Sequence, residues 1–512
     1  MADQTARTGL TRRQVLRGAG GAAALALTGG GLAGVVGRAT SLPQIASFPV
    51  EPAGRVRAFH SRPDLRPPTV ATQMAGGPEA AAAEDPGYLF LGPGPVSLKG
   101  SQQFGPLIVD SAGRPVWFRP LAPGLQVTNF ARWRYRGQPV LVWWEGKIEQ
   151  TGYGQGEVVV LDRAYRELTR VRAASGRSVD LHALTVTPQG TMLFTCYPDT
   201  VPMDLSSIGG PRNSQVRESI IQEVDIATGR LLFEWRSLQH IPVSASREPM
   251  GEPYDYVHVN SVQQLPDGNL LISGRHTWAV YKLERRTGKV IWTLGGKHSQ
   301  FDMGPGTQFS WQHDARQVSD NLVTLFDNGT NGPIRTEHQS RGVALQVDEA
   351  GRKVTLGQAY VSSHKLVAGA MGSVQILPSG RVMVGWGVAS YTSKFAATGE
   401  LLAEFALPAG MYSFRGLWLP WEGAPHHRPK VTAKRDHRRD TTTLYASWNG
   451  ATAVTDWQIE AGPSHDQLRP LGIATSHGFE TVIPLQPSHR YAAVTALDRF
   501  GRRLKRSKVI KL

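Results

Sequence analysis

The sequence has a single cysteine, Cys196, in 512 residues. One thiol excludes an intramolecular disulfide and a thiolate metal centre, and a chain of this length can bury a sufficient core without either. Cys196 follows an apolar run at 192–195, which predicts a buried, unreactive side chain. Long uncharged apolar runs are also lacking beyond residue 40, which excludes a membrane-spanning helix there.

Acidic residues are the scarcer charge, with 41 Asp and Glu against 56 Lys and Arg and a formal net charge of +15. The excess is concentrated near the C-terminus, where residues 421–512 hold 15 Lys and Arg against 8 Asp and Glu. Such runs are typical of nucleic-acid binding, of contact with a cell wall or an acidic membrane surface, or of a merely solvated basic face. The export signal described next argues against a nucleic-acid partner and leaves the other two open.

The first 39 residues resemble a twin-arginine signal peptide. Residues 11–17 are Thr-Arg-Arg-Gln-Val-Leu-Arg, and an apolar stretch that is interrupted by glycines follows over 18–37. Its many glycines and alanines make it too weakly hydrophobic for a stop-transfer helix. A disordered tail and a membrane anchor are the alternatives. We expect the protein to be exported, either secreted or associated with the cell surface.

Glycine and proline are abundant, at 56 and 34 residues, which favours short strands joined by turns. Between 88 and 420 one pattern recurs at intervals of roughly fifty to sixty residues: an apolar strand, an Asp or its substitute, a turn usually containing glycine, and a second apolar strand. The six copies are centred on Asp110, Asp162, Asp225, Glu284, Asp348 and Ala396. A second hairpin signal precedes several copies, so each repeat should hold four antiparallel strands. The pattern predicts an all-β, six-bladed β-propeller, with a solenoid or an array of sandwiches as the alternative.

Composition changes on both sides of the repeats. Residues 40–87 are rich in Pro, Ala and Gly and are predicted to form an arm or linker. Residues 421–440 are predicted to be a basic linker. Strand patterns with two early tryptophans then indicate a small fibronectin type III or immunoglobulin-like sandwich over 441–512.

Three histidines share a register within the repeats. His182 lies eight residues before Gly190, and His258 lies ten before Gly268, while His313 lies eight before Asn321. The innermost strand of a propeller blade lines the central channel, so all three side chains can point into one funnel. Each histidine alone could equally be a hydrogen-bonded structural residue.

Five segments in order resemble the bacterial arylsulfotransferase family, most closely its shorter branch. They are 258–262 (His-Val-Asn-Ser-Val), 273–276 (Ser-Gly-Arg-His), 287–296, 312–316 (Gln-His-Asp-Ala-Arg) and 326–329 (Phe-Asp-Asn-Gly). The resemblance implies transfer of a sulfuryl group from a phenolic sulfate ester to a phenol through a sulfated histidine, without a nucleotide donor, cofactor or metal. It implies catalytic roles for His313 and His258. The substrate-binding residues that it implies are Asn260, Arg275, Asn328, Arg335, His182 and His276.

One departure bears on this resemblance. The family's nucleophilic histidine is expected in a late repeat, and the matching segment 369–375 contains no histidine. His313 then becomes the first choice for the nucleophile, unless the chain keeps the pocket and has lost the transfer chemistry. A non-catalytic exported propeller that binds an anionic or aromatic ligand, or a cell-surface partner, is therefore the alternative function. A quinoprotein-like dehydrogenase and a zinc site built from His258, His276 and His313 are further alternatives.

Overall fold

Apolar residues in short runs, punctuated by glycine turns, make strands the dominant element of this chain. A computed structural model describes residues 42–49, 56–74, 85–96, 103–486 and 488–512. Within these ranges the helical elements are single 3-10 turns at Ser206–Ile208, Ser237–Gln239, Val243–Ala245 and Gly387–Ala389, and no α-helix occurs. The all-β prediction is confirmed. The predicted signal peptide lies outside the described residues.

Strands β1 to β30 cover the arm and the repeats. The arm holds β1 (Phe48–Pro49) and β2 (Ala71–Met74), and the first three units hold β3 (Tyr88–Pro95), β4 (Leu107–Val109), β5 (Pro115–Phe118), β6 (Gln126–Tyr135), β7 (Gln138–Ile148), β8 (Gly154–Leu161), β9 (Glu167–Val171), β10 (Val179–Val186), β11 (Thr191–Met203), β12 (Ser214–Asp225) and β13 (Leu231–Arg236). The following strands are β14 (Tyr254–Asp255), β15 (Val259–Gln264), β16 (Leu270–Gly274), β17 (Ala279–Leu283), β18 (Val290–Gly295), β19 (Asp302–Met303), β20 (His313–Ser319), β21 (Leu322–Asp327), β22 (Thr330–Asn331), β23 (Ile334–Arg335), β24 (Arg341–Asp348), β25 (Lys353–Val361), β26 (Ser373–Ile376), β27 (Val382–Gly385), β28 (Tyr391–Phe395), β29 (Leu401–Ala406) and β30 (Met411–Leu419).

Most of these strands pair in antiparallel groups of four; β14 and β19 add to two groups as parallel strands, and β22 and β23 pair only with each other. Five groups are consecutive in the chain and begin at β6, β10, β15, β20 and β26, and β10 also touches β8 through one residue pair. The remaining group joins the two ends of the repeats, because β30 pairs with β3 and β4 and β5 follow outward. One strand from each group, namely β6, β10, β15, β20, β26 and β30, lines a common cavity of about 400 Å3, which we call the channel cavity.

In the four copies that have an aspartate, its carboxylate builds the turn by accepting backbone hydrogen bonds. The Asp110 carboxylate accepts the N–H groups of Ala112 and Arg114, each at 2.9 Å. Gly113 has a φ of 70°, a left-handed conformation that glycine adopts without steric cost. This local chemistry explains why the Asp-to-Gly signal could be recognised in the sequence.

The C-terminal residues form two facing sheets. Their strands are β31 (Lys430–Asp436), β32 (Thr441–Ser447), β33 (Asp456–Gly462), β34 (Arg469–Thr475), β35 (Glu480–Leu485), β36 (Tyr491–Leu497), β37 (Arg503–Arg506) and β38 (Ile510–Lys511). One sheet has the order β1-β35-β32-β31 and the other β34-β33-β36-β37, with β38 on β36. Leu444, Trp457, Ile459, Ile483 and Val494 are buried between them.

Two segments differ from the predicted linkers. Lys430–Asp436 forms the edge strand β31, because Val431 and Ala433 alternate with polar residues and pack on the sandwich core. In the arm, β1 pairs with β35 and β2 pairs with β29, so parts of 40–87 belong to sheets. All described residues belong to one compact unit, Leu42–Leu512. In that part of the chain no helix has the length and apolarity needed to span a membrane.

Candidate functional site

Two histidines from neighbouring groups of strands meet nitrogen to nitrogen. His182 lies in β10 and His258 directly precedes β15, and their Nε2 atoms are 3.1 Å apart. Both rings are buried, with 4% and 6% of their surface exposed. His258 has a φ of 50°, so it lies outside the strand in a left-handed conformation that is costly for a residue with a Cβ. Strand alternation therefore does not determine where its side chain points.

A carboxylate fixes the other nitrogen of each ring. His182 Nδ1 is 2.7 Å from Asp180 Oδ2, and His258 Nδ1 is 2.7 Å from Asp255 Oδ2. Carboxylates accept hydrogen bonds, so each Nδ1 carries its proton and each Nε2 presents a lone pair. Two lone pairs at 3.1 Å repel each other unless a proton lies between them, so we infer that the pair holds one shared proton. Tyr153 completes this group by donating from its hydroxyl to Asp255 at 2.9 Å.

Arg275 and His276 extend the cluster. His276 Nδ1 donates to the backbone carbonyl of Asp255 at 2.5 Å, and its Nε2 accepts from Arg275 Nη1 at 2.6 Å. Arg275 Nη2 also donates to Asn331 Oδ1 and to the carbonyl of Gly369, both at 3.1 Å. The guanidinium is therefore oriented by three partners at the edge of the histidine group.

His313 is held by an amide from the next strand. Its Nδ1 is 2.7 Å from Asn328 Oδ1, and its Nε2 accepts the N–H of Met371 at 3.2 Å. Asn328 in turn donates to the carbonyls of Ala368 and Met371, at 2.6 and 3.1 Å. His313 thus lies directly against 369–375, the segment that lacks the expected late histidine.

Phe414 of β30 lies between His313 and the His182–His258 pair. Its ring centroid is 6.1 Å from that of His182 and 6.4 Å from that of His313. An aromatic wall beside the histidines suits a site that receives an aromatic ring.

Burial disfavours the charged form of His258, His276 and His313. It lowers the pKa of His258 well below 6.5, with the neighbouring His182 and Arg275 charges adding to the effect. The pKa of His313 is lowered well below 6.5 by burial and by Arg275, and burial lowers the pKa of His276 to about 3. Burial and Asp255 raise the pKa of Tyr153 well above 10, so its hydroxyl remains a donor.

The structure places the remaining predicted residues apart from this group. Asn260 is buried and donates to the carbonyl of Gln312 at 2.7 Å, while its Oδ1 has no partner within the described ranges. Arg335 is exposed on β23, opposite Thr330, in the hairpin that also holds Asn331. In the described structure no hydrogen bond links Arg335 to the four site histidines, which are His182, His258, His276 and His313. Its predicted contact with sulfate remains a prediction.

Tyr153, Asp180, Asp255 and Phe414 were not among the predicted site residues. The carboxylates could have been found, because Asp180 and Asp255 precede His182 and His258 by two and three residues. Tyr153 and Phe414 carry no such signal, since each arrives from a distant strand or loop and only the closed arrangement brings it near the histidines.

Asp255, His258 and His276 are the one group of described residues with the spacing to hold a metal ion. Their ligand atoms already have other partners. The Asp255 carboxylate accepts hydrogen bonds from Tyr153 and His258, and His276 uses one nitrogen for the Asp255 carbonyl and the other for Arg275. A cation there would break these bonds and lie next to a guanidinium, so the donor set does not fit a resident metal.

The fold and the site define an all-β protein that holds buried histidines where its repeated sheets converge. A model of the family described as Arylsulfotransferase (ASST) matches residues 134–406, more than half of the chain. The chain belongs to this arylsulfotransferase family, as the sequence motifs indicated. Membership supports an arylsulfotransferase-like function in general.

Solved structures of low identity also resemble the chain. A protein of unknown function from Bacteroides caccae is 12% identical over 65% of this chain and 99% of its own, with a TM-score of 0.39. A virginiamycin B lyase from Staphylococcus aureus is 12% identical over 70% of this chain and 99% of its own, with a TM-score of 0.29. A calcium-binding regucalcin from Agrobacterium tumefaciens is 14% identical over 67% of this chain and 85% of its own, with a TM-score of 0.30. No curated protein matches the sequence.

Protein stability should fall as the pH drops below about 6.5 because of the lowered histidine pKa values. The unfolded chain takes up protons at His276 and His313 in this range, and the folded chain does not. Each histidine then removes up to about 1.4 kcal/mol from the free energy of unfolding per pH unit. Urea denaturation at pH 7.5, 6 and 5 measures this slope. The His276→Gln variant should show a shallower slope, and equal stability at all three pH values would contradict the expectation.

Proposed function

We propose that the chain is an exported arylsulfotransferase that moves a sulfuryl group from a phenolic sulfate ester to a phenol, with His313 as nucleophile. Family membership supports the reaction class. The observation that carries the role of His313 is its bond to Met371, inside the segment where the family histidine is missing. A neighbouring strand would thereby supply the imidazole that 369–375 lacks.

The proposal includes an architecture and a location. The six four-stranded groups are the blades of a six-bladed propeller over 88–420, closed by the pairing of β30 with β3. The two C-terminal sheets form a fibronectin-like sandwich, preceded by a basic segment at 421–440. Export through the twin-arginine route suits a fold whose first and last strands must pair before it is complete. It also suits an ester donor, because nucleotide sulfate donors are made in the cytoplasm.

The first chemical step forms a sulfated histidine. His313 Nε2 leaves its bond to Met371 and attacks the sulfur of the aryl sulfate, and the sulfur–oxygen bond to the aryl group breaks. Asn328 Oδ1 accepts from Nδ1–H and stabilises the positive charge that develops on the ring. The departing phenolate takes the proton held between His182 and His258, and the pair becomes neutral.

The second step returns the enzyme to its starting state. An acceptor phenol gives its proton to the neutral His182–His258 pair, and its oxygen attacks the sulfur. The bond between sulfur and His313 Nε2 breaks, and the aryl sulfate product leaves. Arg275 provides fixed positive charge for the sulfuryl oxygens, and Arg335 and Asn260 remain proposed contacts of the sulfate.

The test of the function uses 4-nitrophenyl sulfate with and without phenol. Release of nitrophenol should depend on phenol, and a brief reaction without acceptor should leave a peptide containing His313 with one added sulfuryl group. Chelation of divalent cations should leave the rate unchanged. Nitrophenol release at the same rate with and without phenol, together with the absence of any sulfated peptide, would reject the transfer mechanism.

A binding function without transfer is the second candidate. The observation that favours it is that the Nε2 atoms of His276 and His313 already accept hydrogen bonds from Arg275 and Met371. A site whose imidazole nitrogens are already hydrogen-bonded, beside a guanidinium, can hold an anionic aromatic ligand without reacting. Saturable binding of phenyl sulfate with no turnover would favour this function, and any contact of the basic C-terminal region with a cell surface would then be tested separately.

A further inference from the structure

The channel cavity is distinct from the histidine cluster, although the same strands build both. His182 is the fourth residue of β10, whereas Thr185 and Val186, further along, line the cavity. His313 is the first residue of β20, and the cavity residues of that strand follow it. At about 3.3 Å per residue Thr185 lies about 10 Å beyond His182. Asp314 and Arg415 directly follow His313 and Phe414, so the cavity begins next to the histidine cluster. None of the four site histidines is among the residues that line the cavity.

A buried arginine dominates the charge of this cavity. Arg415 is 7% exposed, its Nη2 lies 2.9 Å from Asp314 Oδ1, and its Nη1 donates to Asn129 Oδ1 at 2.5 Å. Its Nε has no hydrogen-bond partner in the described part of the chain. Burial lowers the pKa of Arg415 to about 10, which still leaves the guanidinium charged at neutral pH.

A second guanidinium shares the same carboxylate. Arg316 Nε lies 2.8 Å from Asp314 Oδ1, and its Nη1 donates to the carbonyl of Val262 at 3.0 Å. Asp314, Arg316 and Arg415 are the charged residues that line the cavity, so its wall carries one excess positive charge. An unbalanced buried charge is costly, and a bound anion would relieve that cost.

The rest of the wall indicates the body of the ligand. Uncharged polar side chains line part of it, and its apolar members are Ala131, Trp133, Val186, Pro188, Val318, Val374, Ile376 and Leu417. Thr324 lines the same space, and its buried hydroxyl has no partner in the described structure. The volume of about 400 Å3 lies within the usual range of small-molecule pockets, about 300–1,000 Å3. One positive charge in an apolar, aromatic wall suits a ligand with one negative charge on an apolar ring.

We propose that the channel cavity is a second binding site, specific for small organic monoanions with an aromatic or apolar body. Arg415 and Thr324 would contact the anionic group, and the apolar wall would contact the body. This site is independent of the sulfuryl-transfer site and of whether transfer occurs.

Benzoate and its neutral isostere benzamide test this site by calorimetric titration of the full chain. We expect benzoate to bind at least tenfold more tightly than benzamide, and the preference to disappear in Arg415→Gln. It should persist in His313→Gln, which separates the cavity from the proposed transfer site. Equal affinities of the two probes, or a preference lost in His313→Gln and kept in Arg415→Gln, would overturn the proposal.

The Thr324→Val variant provides a second measure, because it removes the hydroxyl without changing the shape or the charge. It should weaken benzoate binding about fivefold, the cost of one hydrogen bond of roughly 1 kcal/mol, even where Arg415→Gln fails to fold. Unchanged benzoate affinity in folded Thr324→Val would exclude Thr324 as a contact and contradict the proposed placement of the anion.

Discussion

Replacing His313 by glutamine should lower the rate of sulfuryl transfer by on the order of 10³-fold or more, because the proposed nucleophile is removed. The glutamine amide can still bond to Asn328 and Met371, the partners of His313 in the structure. A large loss would therefore reflect chemistry rather than the collapse of these contacts. Initial rates with 4-nitrophenyl sulfate and phenol measure the effect, and the sulfated peptide should disappear.

His240→Gln is the matched control for this experiment. His240 is half-buried and stacks on Trp235 at 5.6 Å, in a different part of the fold. Its replacement removes a packed imidazole without touching the site, so transfer should remain within a factor of two or so of the original, as expected for a substitution away from the chemistry. A His313→Gln enzyme that transfers at the original rate and still yields a sulfated peptide would assign the nucleophile to another histidine.

The repeat pattern and the histidine register were accessible from sequence because both depend on local chemistry. The Asp turn needs only a carboxylate and two following N–H groups, as Asp110 shows. The family motifs around His258 and His313 are equally local. The repeat pattern agrees with the all-β fold, and the motifs agree with the family match.

The site itself depends on contacts between distant strands, which no local pattern encodes. The approach of His182 to His258 joins residues 76 positions apart, and the contact of Met371 with His313 spans 58. Arg335 lies on an exposed hairpin, because β22 and β23 form their own small sheet, and its contact with sulfate stays a prediction. The edge strand β31 was missed because charged residues obscured its two-residue period.

Replacing His182 or His258 by glutamine should impair transfer in a way that depends on the leaving group. The pair supplies the proton for the departing phenolate, and general acid catalysis of this kind contributes about 10²–10⁴-fold. A phenolate as stable as 4-nitrophenolate needs little help, whereas unsubstituted or methoxy-substituted phenolates need much. We therefore expect a small loss with 4-nitrophenyl sulfate and a loss of about 10²-fold or more with 4-methoxyphenyl sulfate.

The dependence of log kcat/KM on the pKa of the leaving phenol measures this difference. The slope should become steeper in His182→Gln and His258→Gln and stay unchanged in His240→Gln. Asp180 accepts a hydrogen bond of 2.7 Å from His182 Nδ1 and so keeps the proton on that nitrogen. Asp180→Asn removes this constraint on the tautomer of His182, so the slope should become steeper, as in His182→Gln. A purely structural role for the pair would lower the rate equally for every leaving group. Plots of log kcat/KM against leaving-group pKa that run parallel for the original protein and the variants would therefore exclude the shared proton as the acid.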